Sequence, residues 1–179
     1  MSDTTTVVDH VTLAGRFNAR LGRQLGVLLI GGAAEPVYLP PTAARPAWIR
    51  YARDHAASVL HELAHWCHAS PAARRCEDYG LAYEPPPRDG PAQRRFYAAE
   101  VPVQALEKLL CEAVGLPFRC SDDNPGVAFG PDRGAFEARV EAACDDLRRQ
   151  GPDATTRAVR DALTADWRPD SSDLLRSSA

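Results

Sequence analysis

The chain has 179 residues, of which 45% are hydrophobic and 25% are charged, values typical of one globular domain. Its formal net charge of −3 provides no basic field, so we expect no nucleic-acid partner. The longest apolar run, residues 25–32, falls far short of the roughly 20 residues that span a bilayer, so we expect no membrane association. Five cysteines without a CxxC pair, behind an N-terminus that lacks the features of a signal peptide, favour a cytoplasmic protein.

The periodicity of the apolar residues predicts a mainly helical α+β fold, with a small sheet, in a single domain. The predicted elements, in chain order, are a helix over 9–21, a buried strand over 27–30, an extended segment over 35–41, a long helix from Pro46 to His68, a short strand over 79–83, and helices over 91–114, 132–149 and 153–166. The segments 84–90 and 121–130 are predicted loops. We expect the domain to occupy residues 1–167 and residues 168–179 to form a flexible tail.

One motif in the long predicted helix carries chemistry. Residues 61–65 read His-Glu-Leu-Ala-His, the HExxH pattern. Side chains four residues apart lie on one face of a helix, so the imidazoles of His61 and His65 can reach the same metal ion. Glu62 projects from an adjacent edge, where it can approach a metal-bound water. The motif predicts a zincin-like metal helix, with His61 and His65 as metal ligands and Glu62 as a catalytic residue.

A third protein ligand is expected, because two histidines alone hold a catalytic metal weakly. Glu100 is the best candidate, since the predicted helix 91–114 can cross the metal helix and deliver a carboxylate. Gln104 and Glu107 share roughly the same face, where they either support the ligands or point into solvent, and Glu107 is also an alternative ligand. Weaker alternatives for the third ligand are Glu112, Asp78, Glu77 and His68.

Two histidines and a carboxylate serve two chemistries. With zinc they activate water for peptide hydrolysis, and Glu62 would then be the general base. With iron(II) they leave coordination positions open for dioxygen. Imidazole and carboxylate accept both metals, so the residues leave both interpretations open. A metal-stabilised adaptor without catalytic activity is a further alternative.

Several segments resemble a known family, in the family's order. The most specific are the HExxHWC pattern over 61–67 and the EVxxQALE pattern over 100–107. The others cover residues 35–40, 51–60, 73–75, 78–80, 121–124 and 129–133. Over about residues 35–140 the chain resembles the bacterial elongation factor P hydroxylases.

This resemblance implies a non-haem iron monooxygenase that hydroxylates the lysine side chain of elongation factor P after that lysine has been lysylated. It implies Fe(II) as the cofactor, with another divalent metal such as zinc able to replace it on purification, and dioxygen as the co-substrate. Elongation factor P would be the protein partner. By their place in the family's motifs, His61 and His65 match its metal histidines and Glu100 matches its metal carboxylate. Glu62 would lie beside the metal, where it orients a ligand or transfers a proton.

The chain departs from the family pattern at a few positions near where a substrate would approach. Leu81-Ala82-Tyr83 stands where family members have Tyr-Trp-Tyr, and Tyr97 stands where an acidic residue is typical. His55 replaces an aromatic residue. The metal motif itself is intact.

Overall fold

The structure is a computed structural model that describes residues 8–125 and 131–165. Its elements, in chain order, are α1 (His10–Phe17), a π-helical turn (Asn18–Gly22), α2 (Arg23–Leu25), β1 (Val27–Ala33), β2 (Val37–Leu39), β3 (Ala47–Ala52), α3 (Ala56–His68), two 3₁₀ turns (Ala73–Arg75 and Glu77–Gly80), α4 (Gly90–Val114), α5 (Pro131–Gln150) and α6 (Ala154–Thr164). The predicted fold class, a mainly helical single domain with a small sheet, is confirmed.

Strand β3 lies in the centre of a three-stranded sheet. It runs parallel to β1, with Leu29 opposite Ile49, and antiparallel to β2, with Tyr38 opposite Ile49. Alternate residues of a strand point to the same face, and the buried ones on β3 include Ala47, Ile49 and Tyr51. Helices α1 and α3 contact the sheet and each other. The sheet therefore forms the support on which α3 rests.

The connection between β3 and α3 is a tight turn. Arg53 and Asp54 have positive φ angles of 61° and 40°, which are uncommon for residues other than glycine. The Asp54 carboxylate accepts a hydrogen bond of 2.8 Å from the backbone N–H of Gly32, which ties the turn to the end of β1. His55 then caps the helix, because its Nδ1 accepts a hydrogen bond of 3.2 Å from the backbone N–H of Ser58. The start of α3 is thus fixed five residues before His61.

Helix α4 has well-defined ends. The Asp89 carboxylate accepts a hydrogen bond of 2.8 Å from the Ala92 N–H, and Gly115 ends the helix with a φ of 74°. The helix continues through Pro102. It packs against α3 on one side and against α5 on another. This position lets one helix contribute to both the core and the site.

The core consists of two clusters of buried side chains. The larger one lies between the sheet and helices α1, α3, α4 and α6, and the smaller one lies between α4 and α5. The largest fully buried hydrophobic side chains are Phe17, Phe136, Leu13, Ile49, Leu60, Leu63, Leu110 and Leu163. Leu60 and Leu63 lie on α3, so residues next to and between the two motif histidines hold that helix in the core.

Two predicted elements are wrong. The long helix from Pro46 to His68 is divided, because residues Ala47–Ala52 pair with β1 and β2 and the helix starts only after the cap at His55. The predicted strand over 79–83 has no strand partner. It begins in a 3₁₀ turn, where Asp78 and Tyr79 have positive φ, and continues without regular structure.

Parts of the expected domain 1–167 and the whole expected tail 168–179 lie outside the described residues, as does 126–130 of the predicted loop 121–130. In the part of the chain that is described, no helix combines the length and apolarity needed to cross a bilayer.

Candidate metal centre

Helices α3 and α4 bring the three predicted ligands together. His61 and His65 lie one turn apart on α3, and Glu100 projects from α4 towards them. One ligand atom of each residue lies within 4.8 Å of the others, and among residues 8–125 and 131–165 this is the one group of its kind. Glu100 is 1% exposed, whereas the side chains of His65 and His61 are 10% and 27% exposed. The carboxylate of the cluster is therefore shielded from solvent, whereas the two imidazoles are partly accessible to it.

The spacing of the donor atoms fits a divalent metal ion. His61 Nε2 and His65 Nε2 are 3.2 Å apart. Glu100 Oε1 lies 3.4 Å from His65 Nε2, and Glu100 Oε2 lies 3.9 Å from His61 Nε2. A metal about 2.1 Å from each ligand atom places those atoms roughly 3 to 3.5 Å apart. Two neutral imidazole nitrogens and a carboxylate satisfy the donor chemistry of both iron(II) and zinc.

Glu107 contacts the other side of the His61 ring. Its Oε2 lies 2.8 Å from His61 Nδ1. A ring N–H donated to a carboxylate fixes the tautomer and leaves the second nitrogen free to bind a metal. Of the three sequence interpretations of Glu107, the structure favours support of a ligand over direct ligation and over a solvent-facing side chain.

Two further side chains hold the Glu100 carboxylate. The Tyr83 hydroxyl donates to Glu100 Oε1 at 2.9 Å, and Gln104 Nε2 donates to Glu100 Oε2 at 3.1 Å. Gln104 is itself fixed by the backbone of Ser121, to whose carbonyl it donates at 2.7 Å and from whose N–H it accepts at 3.0 Å. The sequence assigns neither Tyr83 nor Ser121 a role beside Glu100, because no local pattern connects residues 83 and 121 with residue 100.

The charges of the cluster suit metal binding. Burial lowers the pKa of His65 to about 4, with the neighbouring His61 acting in the same direction, so His65 is neutral at pH 7. Burial opposes ionisation of Glu100, but His61 and His65, together with the hydrogen bonds from Gln104 and Tyr83, lower its pKa. Glu100 therefore remains a carboxylate.

His61 and Glu62 respond differently to the same surroundings. Burial acts to lower the pKa of His61, but the hydrogen bond and negative charge of Glu107 raise it to about 10. A metal ion must then displace a proton from His61. Burial raises the pKa of Glu62 to about 7 although His61 acts against it, and Glu100 adds to the rise. Glu62 can thus exchange a proton near neutral pH.

A cavity of about 600 Å³ opens onto the cluster. Its walls come from β2, α3, α4 and the segment 78–83. Tyr79 stacks on Tyr38 with ring centroids 4.3 Å apart and lies parallel to His65 at 6.2 Å. Glu62 also lines the cavity. The volume is in the range of sites that take one small molecule or one extended side chain.

The weaker alternatives for the third ligand lie outside the cluster. Glu112 pairs with Arg148 on α5. The Asp78 carboxylate lines the cavity but accepts a hydrogen bond of 2.8 Å from the backbone N–H of Tyr38. Glu77 and His68 are exposed. The structure thus assembles His61, His65 and Glu100, and places Glu62 beside them.

Two comparisons with known proteins bear on the family of this chain. A sequence model of the elongation factor P hydroxylase family matches residues 16–175, a range that contains α3 and α4. The elongation factor P lysine hydroxylase of Haemophilus influenzae is 40% identical over 150 residues, which cover 83% of this chain and 84% of that protein. The resemblance drawn from the motifs is confirmed: the chain belongs to the elongation factor P hydroxylase family.

Proposed function

We propose that this protein is an iron(II)-dependent monooxygenase of the cytoplasm that hydroxylates the lysylated lysine of elongation factor P. The observation that carries the proposal is the cluster of His61, His65 and Glu100 at a cavity, in a chain that belongs to the elongation factor P hydroxylase family. The relative from Haemophilus influenzae, named as an elongation factor P lysine hydroxylase, supports a lysine of that factor as the substrate.

His61, His65 and Glu100 would hold the metal. Two histidines and one carboxylate are the ligand set of many non-haem iron oxygenases. When bound, iron(II) supplies the activation of dioxygen. The net reaction replaces one C–H bond of the lysine side chain by C–OH. The second oxygen atom leaves as water, with two electrons from an external reductant and two protons.

The chain's own residues provide the ligand atoms, a group that can transfer a proton, and the charge of the cavity. His65 offers a neutral imidazole, and His61 offers Nε2 because Glu107 occupies Nδ1. Glu62 is the proposed catalytic residue, since it lines the cavity and can hold or release a proton near pH 7. Acidic residues, including Glu35 and Asp78, outnumber the two arginines of the cavity lining, Arg53 and Arg119, and this excess of negative charge favours a cationic side chain.

Peptide mass spectrometry tests the proposal. Lysylated elongation factor P is incubated aerobically with the protein, iron(II) and a reductant, and the modified lysine is expected to gain one oxygen atom. His65→Ala should abolish the gain, whereas His68→Ala should not, because His68 is an exposed histidine on the same helix outside the cluster. Circular dichroism of both variants verifies that the helices are kept.

Three results would contradict the proposal. No gain of oxygen by the wild-type protein, with iron demonstrably bound, would remove lysylated elongation factor P as the substrate. Zinc that supports cleavage of a peptide, with the cleavage lost in Glu62→Gln, would identify a peptidase instead. Binding of the factor by both the wild-type protein and His65→Ala, with no product from either protein, would identify an adaptor.

A further inference from the structure

A short segment, residues 81–89, joins the 3₁₀ turn Glu77–Gly80 to α4 along the side of the cavity. Leu81, Ala82 and Tyr83 line the cavity. Leu81 and Tyr83 are 44% and 37% exposed, which is unusual for large hydrophobic side chains among the residues that the structure describes. The segment 81–89 thus separates solvent from the cavity that contains His61, His65 and Glu100.

Arg88 anchors this segment. It is buried, and its guanidinium donates to the carbonyls of Glu84 and Asp123, each at 2.6 Å. Its backbone N–H donates to Asn124 Oδ1 at 2.8 Å, and its carbonyl accepts from Asn124 Nδ2 at 3.1 Å. The guanidinium also lies over the ring of Phe96, 4.1 Å from its centroid. These contacts fix the end of the segment against α4.

Tyr83 is the contact between the segment and the metal cluster. Its ring meets Phe96 edge-on with centroids 5.3 Å apart, and its hydroxyl donates to Glu100 Oε1 at 2.9 Å. A phenol is protonated at neutral pH, so the Tyr83 hydroxyl acts as the hydrogen-bond donor to the carboxylate. The ring of Tyr83 makes the packing contact and its hydroxyl makes the hydrogen bond. Replacement by phenylalanine therefore removes the hydrogen bond and keeps the packing.

We propose that Tyr83 is a positioning residue for the metal-binding carboxylate. Gln104 holds one oxygen of Glu100 and Tyr83 holds the other, so the orientation of the carboxylate is fixed from two elements. A hydrogen-bond donor on each oxygen opposes rotation of the carboxylate into a bidentate binding mode. One coordination position of the metal ion therefore stays open. The inference rests on the proposed metal site, and it goes beyond the ligand set to the residue that orients it.

The Tyr83 hydroxyl contacts the proposed ligand Glu100 directly, so its removal should alter metal binding itself. Partners that orient metal ligands typically contribute 10- to 100-fold to affinity or activity. A tyrosine that served only as a wall for the substrate would affect KM and leave the metal unchanged. The two roles therefore predict different measurements.

Cobalt(II) is the probe. Metal-free full-length protein is titrated with cobalt(II) in competition with a chelator, and the absorption spectrum of the bound ion is recorded. Tyr83→Phe keeps the ring on Phe96 and should weaken binding about 10-fold, with a changed spectrum. With iron and lysylated substrate, kcat should fall while KM stays near the wild-type value.

Tyr97→Phe is the matched control. Tyr97 lies on α4 and stacks on Phe136 with centroids 4.2 Å apart, so the variant also removes one phenolic hydroxyl but away from the cluster. It should bind cobalt(II) with wild-type affinity and spectrum. Thermal unfolding of both variants verifies that the fold is kept.

Wild-type affinity and spectrum in Tyr83→Phe would overturn this inference and leave the proposed function standing. A rise in KM alone would likewise overturn it, because Tyr83 would then act on the substrate. A wild-type protein that binds no divalent metal would overturn both proposals.

Discussion

The two ring nitrogens of His61 have different partners. Nδ1 lies 2.8 Å from Glu107, and Nε2 faces His65 and Glu100. The carboxylate of Glu107 therefore selects which nitrogen is available to a metal ion. It also keeps a proton on His61 when no metal is bound, since it raises the pKa of His61 to about 10.

Glu107→Gln should weaken cobalt(II) binding about 10-fold, because it removes the charge that orients His61. The substitution should also reduce the number of protons that are released when cobalt(II) binds. The wild-type His61 is charged at pH 7 and must lose a proton to bind, whereas without the Glu107 carboxylate its pKa falls. Calorimetry in buffers of different ionisation enthalpy measures this release. Glu112→Gln, on the same helix, is the control; equal affinity and equal release in all three proteins would exclude this role of Glu107.

Glu62→Gln should separate metal binding from turnover. Glu62 lies beside the cluster without belonging to the three-residue ligand set, so cobalt(II) affinity should remain within about twofold of wild type. The variant has lost an acid–base group, and kcat should fall about 100-fold. Turnover at the wild-type rate would show that Glu62 is not the catalytic residue.

At the scale of elements, the N-terminus of α3 carries an unusual cap. The exposed His55 accepts from the Ser58 N–H, a position where serine, threonine, aspartate and asparagine are preferred. His55→Ser should raise the free energy of unfolding by about 0.5–1 kcal/mol, because a hydroxyl caps this position better. Chemical denaturation measures the change. An unchanged or lower stability would show that the His55 ring contributes more than its capping nitrogen.

The elements that can be predicted most accurately from the sequence are those whose first and last residues carry local capping signals. Helix α4 was predicted over 91–114 and spans Gly90–Val114, because Asp89 caps its start and Gly115 ends it. Strand β3 was assigned to a helix, because its pairing with β1 and β2 depends on residues far away in the sequence. The positive φ of Asp78 and Tyr79 is also held by distant contacts with Tyr38, which no local pattern reveals.

The same distinction applies to the site. His61, Glu62 and His65 follow from the spacing of one helix, and Glu100 follows from a second helix that crosses it together with the family resemblance. Tyr83 reaches Glu100 only through the path of the segment 81–89. The three residues that the structure brings together could therefore be predicted from sequence, whereas the groups that hydrogen-bond to them depend on tertiary structure.

At the scale of the whole molecule, the cluster of His61, His65 and Glu100 connects α3 with α4, and both helices contribute to the core. His61 and His65 belong to α3, Glu100 belongs to α4, and both helices contribute to the main buried cluster. A metal bound only by the folded state stabilises that state, by about 2.7 kcal/mol at a free metal concentration of 100 Kd. Binding at this site should therefore be visible as stability of the entire domain.

Cobalt(II) or zinc should raise the midpoint of chemical denaturation of the wild-type protein as its concentration increases. His65→Ala should show little of this rise, and His68→Ala should show all of it. The same rise in all three proteins would place the stabilising metal somewhere other than the cluster of His61, His65 and Glu100.

The most direct measurement of the central claim follows the origin of the added oxygen atom. Lysylated elongation factor P is incubated with the iron-loaded protein and a reductant under isotopically labelled dioxygen, and the modified lysine is analysed by mass spectrometry. We predict one labelled oxygen atom on that lysine with the wild-type protein and none with Glu100→Ala. An unlabelled oxygen atom derived from water, or no added oxygen with iron bound, would contradict the assignment of a monooxygenase acting on this substrate.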